Sequence, residues 1–281
     1  MKLLRWGNAG EERPGLRDEN DQIRDLSGLI DDISGTALTD EGLARITGAT
    51  IADLPVVPAD TRLGPCVGSI GKIICIGLNY RDHAREAKLE EPKEPIIFFK
   101  ATSSIIGPTD PISIPPDAQK VDWEVELGVV IGKAASRIGE KEALDHVCGY
   151  CIVNDVSERA WQMERGGQWD KGKSADTFAP IGPWLVTRDE IADPQSLALW
   201  LEVDGVRRQD GTTRNMIFGV AEIIAYVSHF MSLQPGDVIA TGTPAGVGMG
   251  FTPPVYLRPG QSLRSGVEGL GEQRNPVHQA G

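Results

Sequence analysis

The chain has 281 residues, 40% of them hydrophobic and 24% charged, enough for one large domain or a main domain with a small appendage. Its formal net charge of −12 offers no basic surface to a nucleic acid or an anionic membrane. No apolar run approaches the ~20 residues of a membrane-spanning helix, and "MKLLRWGNAGEERPG" lacks an apolar core of signal-peptide length, so a cytoplasmic protein is expected.

Residues 1–65 read as a small α/β unit with a linker. "KLLRWG" and "IRDLSG" are short strands around the turn-rich "RDENDQ", and "LTDEGLARIT" is a short helix capped by Thr39. The proline- and glycine-rich "DLPVVPADTRLGPCVGSIGK" carries the boundary, and residues 66–281 form the main domain. There the predicted strands are "IICIG", "IIFFK", "VDWEVELGVVIG", "CGYCIVND", "PWLVT", "LALWLEVDG" and "DVIATG". Helices are predicted over "RDHAREAKLE", "SERAWQME" and "GVAEIIAYVSHFMSL". Strands and helices do not alternate, which excludes a doubly wound sheet and predicts an α+β, mostly β fold.

The chemistry-bearing residues follow in chain order. "GLNYRDHAREA" places His83 and Glu86 three apart on one helical face, either a solvated pair or a carboxylate orienting an imidazole that activates water. In "WEVELGVVIG" the side chains of Glu124 and Glu126 leave the strand on one side, roughly 6–7 Å apart along its axis. They are either the wet face of a half-exposed strand or two ligands of a cation. Cys148 and Cys151 form a C-x-x-C near His146, but nothing completes a four-ligand zinc set, and they read as small hydrophobes. Asp155 ends a strand, as a helix cap or a third carboxylate; Arg159 and Gln162 sit three apart on the helix that follows. Lys173 falls in an expected loop, where it is a surface lysine or a fixed positive charge. "ATGTPAGVG" lacks the Lys-Ser/Thr ending of a phosphate loop, which excludes nucleotide binding; its N–H groups and the Thr241 and Thr243 hydroxyls are candidates for cradling a carboxylate.

In order and spacing, "GLNYRDHAREA", "WEVELGVVIG", "VNDVSER", "KSADTFAPIGPW" and "TGTPAGVG" resemble the fumarylacetoacetate hydrolase (FAH) family over about residues 70–271. The resemblance implies a mixed β-sandwich roll, a homodimer or higher homo-oligomer, and Mg²⁺ or Mn²⁺ in the site. It implies Glu124, Glu126 and Asp155 as metal ligands, which suits a hard octahedral cation. It makes His83 and Glu86 the water-activating pair, and Lys173, Arg159 and Gln162 the contacts to substrate and developing negative charge. Thr243 falls in a carboxylate-binding loop, while Asp82 does not match a further ligand position. The closing "EGLG" is kept, with Ser265-Gly266 expected to break the strand before it.

The implied reaction is hydrolysis of a C–C bond in a 2,4-diketo acid, such as 2,4-diketo-3-deoxy-L-rhamnonate or an acylpyruvate, to pyruvate and a carboxylic acid. The alternative is an isomerase or decarboxylase acting on a 2-oxo or 2-hydroxy-dienoic diacid. A third reading is a protein that only holds a metal-bound acid. "KLEEPKEP" is a candidate lid.

Overall fold

Two expected strands, Ile73–Gly77 and Val125–Ile131, are buried at every residue in the computed structural model, which describes residues 1–281. Runs of this kind belong in the middle of a sheet covered on both faces. Across the 11-stranded main sheet the order is Val56–Val57, Ile23–Asp25, Arg13–Arg17, Lys2–Trp6, Ala179–Thr187, Val147–Asn154, Val125–Ile131, Val238–Ala240, Ile73–Gly77 and Ile96–Lys100, with Ile105–Ile106 pairing on Ala179–Pro180. A five-stranded sheet runs Val206–Thr212, Ala198–Val203, Ser262–Val267, Gly271–Gln279 and Ile112–Ile114. Antiparallel pairs dominate, but Val238–Ala240 lies parallel to Ile73–Gly77.

Alternation along the central strand assigns each face its cover. Val125, Leu127, Val129 and Ile131 pack with Leu199, Leu201 and Leu263 of the second sheet and with Ile223, Ile224 and Val227 of the helix Val220–Phe230. Val130 packs on the opposite side with Leu3, Leu38, Ile46 and Cys66. By the same alternation Glu126 leaves the strand on the side of Val130.

Three expectations need correction. The helix over "RDHAREAKLE" stops at Glu86, because Lys88 turns to a φ of 55° while Leu89 N–H donates to Ala84 O and Lys88 N–H to Arg85 O, a Schellman ending. Lys173 is not in a loop; it closes the one-turn helix Asp170–Lys173. Ser265-Gly266 does not break its strand. Ser262–Val267 pairs without a register shift to both neighbours, and the ring of Trp200 lies over Gly266. The Thr39 cap forms as expected, accepting from Gly42 N–H. The first strands, expected as a separate unit, extend the main sheet through Leu3 opposite Leu185 and share one hydrophobic cluster with it.

Cys148 and Cys151 lie in the strand Val147–Asn154, buried and unbridged like Cys66 and Cys75. Burial pushes the Cys148 thiol up to about 12 and those of Cys66 and Cys75 well above the usual range. A thiol titration with DTNB at pH 8 is therefore expected to find no reactive cysteine within minutes in the native protein and four after guanidinium unfolding. Rapid labelling of Cys148 or Cys151 in the native state would contradict the structural role.

Candidate active site

The predicted strand "VDWEVELGVVIG" does not run straight, and its interruption makes the site. Val121–Asp122 pairs with Ser157–Glu158, and the ladder resumes only at Val125. Between them Glu124 N–H donates to Asn154 Oδ1 (3.0 Å), and its carbonyl accepts from Asp155 N–H (2.8 Å). One oxygen each of Glu124, Glu126 and Asp155 then lies within 4.8 Å of the others. Their exposures are 6%, 2% and 0%, so the wet strand face is excluded.

Buried carboxylates at this spacing need positive charge. Lys173 Nζ donates to Glu124 Oε2 (2.6 Å) and Asp155 Oδ2 (2.7 Å). Lys100 Nζ donates to Asp155 Oδ1 (2.7 Å) and the Val156 carbonyl (3.0 Å). Arg159 donates from Nη2 to Glu124 Oε1 (2.6 Å), from Nε to Asp122 Oδ2 (2.9 Å) and from Nη1 to Gln162 Oε1 (3.0 Å). Four carboxylates, Asp122, Glu124, Glu126 and Asp155, thus face three cations, so one carboxylate has no cationic partner.

The excess falls on Glu126, whose Oε2 accepts only the Gly242 N–H (2.7 Å). Burial, then Asp155 and Glu124, push the Glu126 carboxyl well above the usual range. At Glu124 burial acts the same way, but Arg159 and Lys173 outweigh it and hold that carboxyl low. A small divalent cation fits this donor set, since it would supply the missing charge to an all-oxygen cluster.

His83 and Glu86 meet as their spacing predicts, with Nδ1 3.2 Å from Oε2. A carboxylate there favours the proton on Nδ1 and leaves Nε2 able to accept one. Glu86 Oε1 accepts from Gly246 N–H (2.9 Å) in the glycine-rich segment. The same segment reaches Glu126 through Gly242 N–H (2.7 Å), which ties the pair to the triad.

The segment "ATGTPAGVG" is spent largely on the protein itself. Thr241 Oγ1 donates to Leu127 O (2.8 Å); Thr243 Oγ1 donates to Val125 O (2.8 Å) and accepts from Gln209 Nε2 (2.7 Å). Gly242 has a φ of 96°, and a Cβ there would lie 2.8 Å from that of Asn79, so only glycine aims this N–H at Glu126. Asp82 stands outside the triad, accepting from His83 N–H and Asn215 Nδ2. "KLEEPKEP" lies mostly exposed beyond the dyad helix.

Sequence reasoning missed Lys100 and Asp122. Asp122 shares the spacing of two that singled out Glu124 and Glu126. Lys100 carried a fainter signal, a lysine closing the apolar "IIFFK".

Comparison with known proteins gives the family. Residues 72–278 match the model of the fumarylacetoacetate (FAA) hydrolase C-terminal family. The chain belongs to that family and has its fold. It is 63% identical over 274 residues, 97% of each chain, to a protein from Burkholderia multivorans named only as a hydrolase. Its structure resembles that of fumarylacetoacetate hydrolase from psychrophilic Exiguobacterium antarcticum, at 36% identity with both chains fully covered and a TM-score of 0.86. It also resembles maleylpyruvate hydrolase from Sphingobium sp. SYK-6 solved with manganese (II) ion and pyruvate, at 31% identity, full coverage of both chains and a TM-score of 0.81. The protein is an FAH-type enzyme, and no helix in it is long and apolar enough to cross a membrane.

Because Glu126 is an uncompensated buried carboxylate, Glu126→Gln is expected to melt at or above the wild-type temperature without metal. Wild type should gain about 2.7 kcal/mol at a Mn²⁺ concentration of 100 Kd, and the variant at the same concentration much less. Thermal melts with and without EDTA measure both. A variant destabilised without metal, or stabilised by Mn²⁺ as wild type is, would count against the assignment.

Proposed function

We propose that the protein is a Mg²⁺-dependent hydrolase, Mn²⁺ serving as well, that cleaves a C–C bond in a 2,4-diketo acid to give pyruvate and a carboxylic acid. The carrying observation is the buried triad, with one carboxylate unmatched by a cation, joined through the glycine-rich segment to an imidazole already oriented by a carboxylate. The manganese and pyruvate in the related maleylpyruvate hydrolase support the same reading, because maleylpyruvate is itself an acylpyruvate. The site residues of the reading are Glu124, Glu126 and Asp155 for the metal, and His83, Glu86, Lys173, Arg159, Gln162 and Thr243 for chemistry and substrate.

When bound, the cation supplies Lewis-acid charge to the carboxylate and adjacent keto oxygen of the 2-oxo acid. Glu86 holds the Nδ1 proton of His83, so Nε2 takes a proton from water. The hydroxide adds to the 4-carbonyl, the bond between C3 and C4 breaks, and the electron pair enters the pyruvate fragment as an enolate. His83 Nε2–H returns the proton to C3, so a single imidazole serves both halves of the reaction. Lys173 uses two of its three N–H donors on Glu124 and Asp155, and the third is assigned to the developing oxyanion. Gln162 accepts from Arg159 through Oε1, which leaves its amide N–H groups as donors to substrate. Arg159 then acts mainly by holding Glu124. Thr243, its hydroxyl already paired twice, is assigned to the substrate through its backbone.

Members of the family that isomerise or decarboxylate need no attacking hydroxide, which makes the paired His83 the feature favouring hydrolysis here. We place the enzyme in the cytoplasm as a homodimer; the edge strand Ile96–Lys100, with Ile96 and Phe99 exposed, supports an assembly.

Loss of the diketo-enol ultraviolet band is the test, with acylpyruvates and 2,4-diketo-3-deoxy-L-rhamnonate as substrates. Turnover with Mg²⁺ should release pyruvate, stop with EDTA and fall by about 10²–10⁴ in His83→Ala. Turnover indifferent to EDTA would overturn the reading. Isomerisation or decarboxylation that survives in His83→Ala while no hydrolysis occurs in wild type would replace it with the alternative.

A further inference from the structure

We propose that Asp122 is a positioning residue that ties the carboxylate triad to the His83–Glu86 pair. Asp122 is completely buried and accepts four hydrogen bonds. Its Oδ1 takes the N–H groups of Trp123 (2.8 Å) and Gly248 (2.6 Å); its Oδ2 takes Met249 N–H (3.0 Å) and Arg159 Nε (2.9 Å). That fills the acceptor capacity of a carboxylate, so the group has no room for substrate or metal.

Its partners lead to the two halves of the site. Toward the triad, Arg159 carries the constraint on to Glu124 Oε1 at 2.6 Å. Toward the dyad, Gly248 and Met249 belong to the turn Gly248–Gly250, which follows the Gly246 N–H that grips Glu86 Oε1 at 2.9 Å. The turn is pressed against Glu86, since a Cβ on Gly250 would lie 2.5 Å from Glu86 Cδ. Trp123 Nε1 donates to Gly246 O (3.0 Å), a second strut from the same bend of the strand. Apart from Met249, which is exposed, every residue in these steps is buried or half-buried. The carboxylate that turns Arg159 toward Glu124 also holds the backbone that orients Glu86. In the proposed reaction this fixes the spacing between the electrophile and the base.

Asp122→Asn keeps the shape but replaces one acceptor oxygen by a donor, which faces Met249 N–H and Arg159 Nε in the place of Oδ2, or Trp123 N–H and Gly248 N–H in the place of Oδ1. Two readouts need no substrate. Mn²⁺ affinity, read by electron paramagnetic resonance, is expected to weaken about 10- to 100-fold, as for other groups that orient metal ligands. The ¹⁵N resonances of His83, one of four histidines, are expected to move from a fixed Nδ1–H tautomer toward a mixture. A change in only one, or in neither, would overturn the proposal. Activity at saturating Mn²⁺, where the change in metal affinity no longer counts, adds a cycle: Asp122→Asn combined with Glu86→Gln should be only about twofold slower than Glu86→Gln, whereas multiplicative losses would mean independent sites. Should Asp122→Asn not fold, Trp123→Phe decides. Of the hydrogen bonds around Asp122 it cuts only the strut to Gly246, so the His83 resonances should shift while Mn²⁺ affinity stays within about threefold of wild type; unshifted resonances would overturn the link. The proposal rests on the catalytic reading for its consequence but not for these readouts. Wild-type protein inert toward every diketo acid would defeat the reading and leave the metal and resonance tests of Asp122 standing.

Discussion

The site depends on a buried network in which Lys173 lies between Glu124 and Asp155, flanked by Lys100 and Arg159. Isolated buried charges cost several kcal/mol each, and removing one partner of such a pair costs about 3–5 kcal/mol. The network is therefore an all-or-nothing arrangement. Each cation contacts a carboxylate of the triad, so the protein carries most of its own neutralisation and leaves one charge for what it binds. An apolar filling would stabilise the fold as well or better. A cluster kept one charge short is better explained by what it receives than by stability.

The fold serves that network by breaking a regular pattern at one place. A straight strand through Trp123 and Glu124 would hold the two glutamates apart at the strand repeat. Asn154 instead takes the Glu124 N–H through its side chain, Asp155 closes on the Glu124 carbonyl, and the carboxylates converge. Sheet covered on both faces then removes water from around them. The glycine-rich segment completes the enclosure, with Thr241 and Thr243 pinning it to the same strand that bears Glu126.

How much of this the sequence carried depends on the range of the interaction. Local rules found the Thr39 cap, the long helix Val220–Phe230 and the central strands, because spacing and capping are readable over a few residues. The spacing of two in Glu124 and Glu126, and of three in His83 and Glu86, exposed the chemistry in the same way. Burial was not readable. Whether a glutamate pair is wet depends on strands more than twenty residues away, and only the order of five motifs argued for a dry one. Lys100 was missed for that reason, since its partner Asp155 lies 55 residues on. The end of the dyad helix was misjudged because a lysine, not a glycine, takes the left-handed position. The N-terminal strands read as a separate unit because nothing local signals the pairing of Leu3 with Leu185.

In the proposed reaction the base and the electrophile stand on different elements, which creates a problem of alignment. His83 and Glu86 stand on a helix of six residues, too short to be rigid by itself, whereas the triad stands in or at the ends of two fully buried neighbouring strands, Val125–Ile131 and Val147–Asn154. A misplacement of about 1 Å between them would cost roughly 10²-fold in rate. The helix needs an external reference, and the geometry offers one route to it: through the backbone around Gly246 and back to the bend at Asp122 and Trp123. That bend is also where the strand turns its carboxylates inward. On this proposal one interruption in one strand sets both where the carboxylates converge and where the imidazole points.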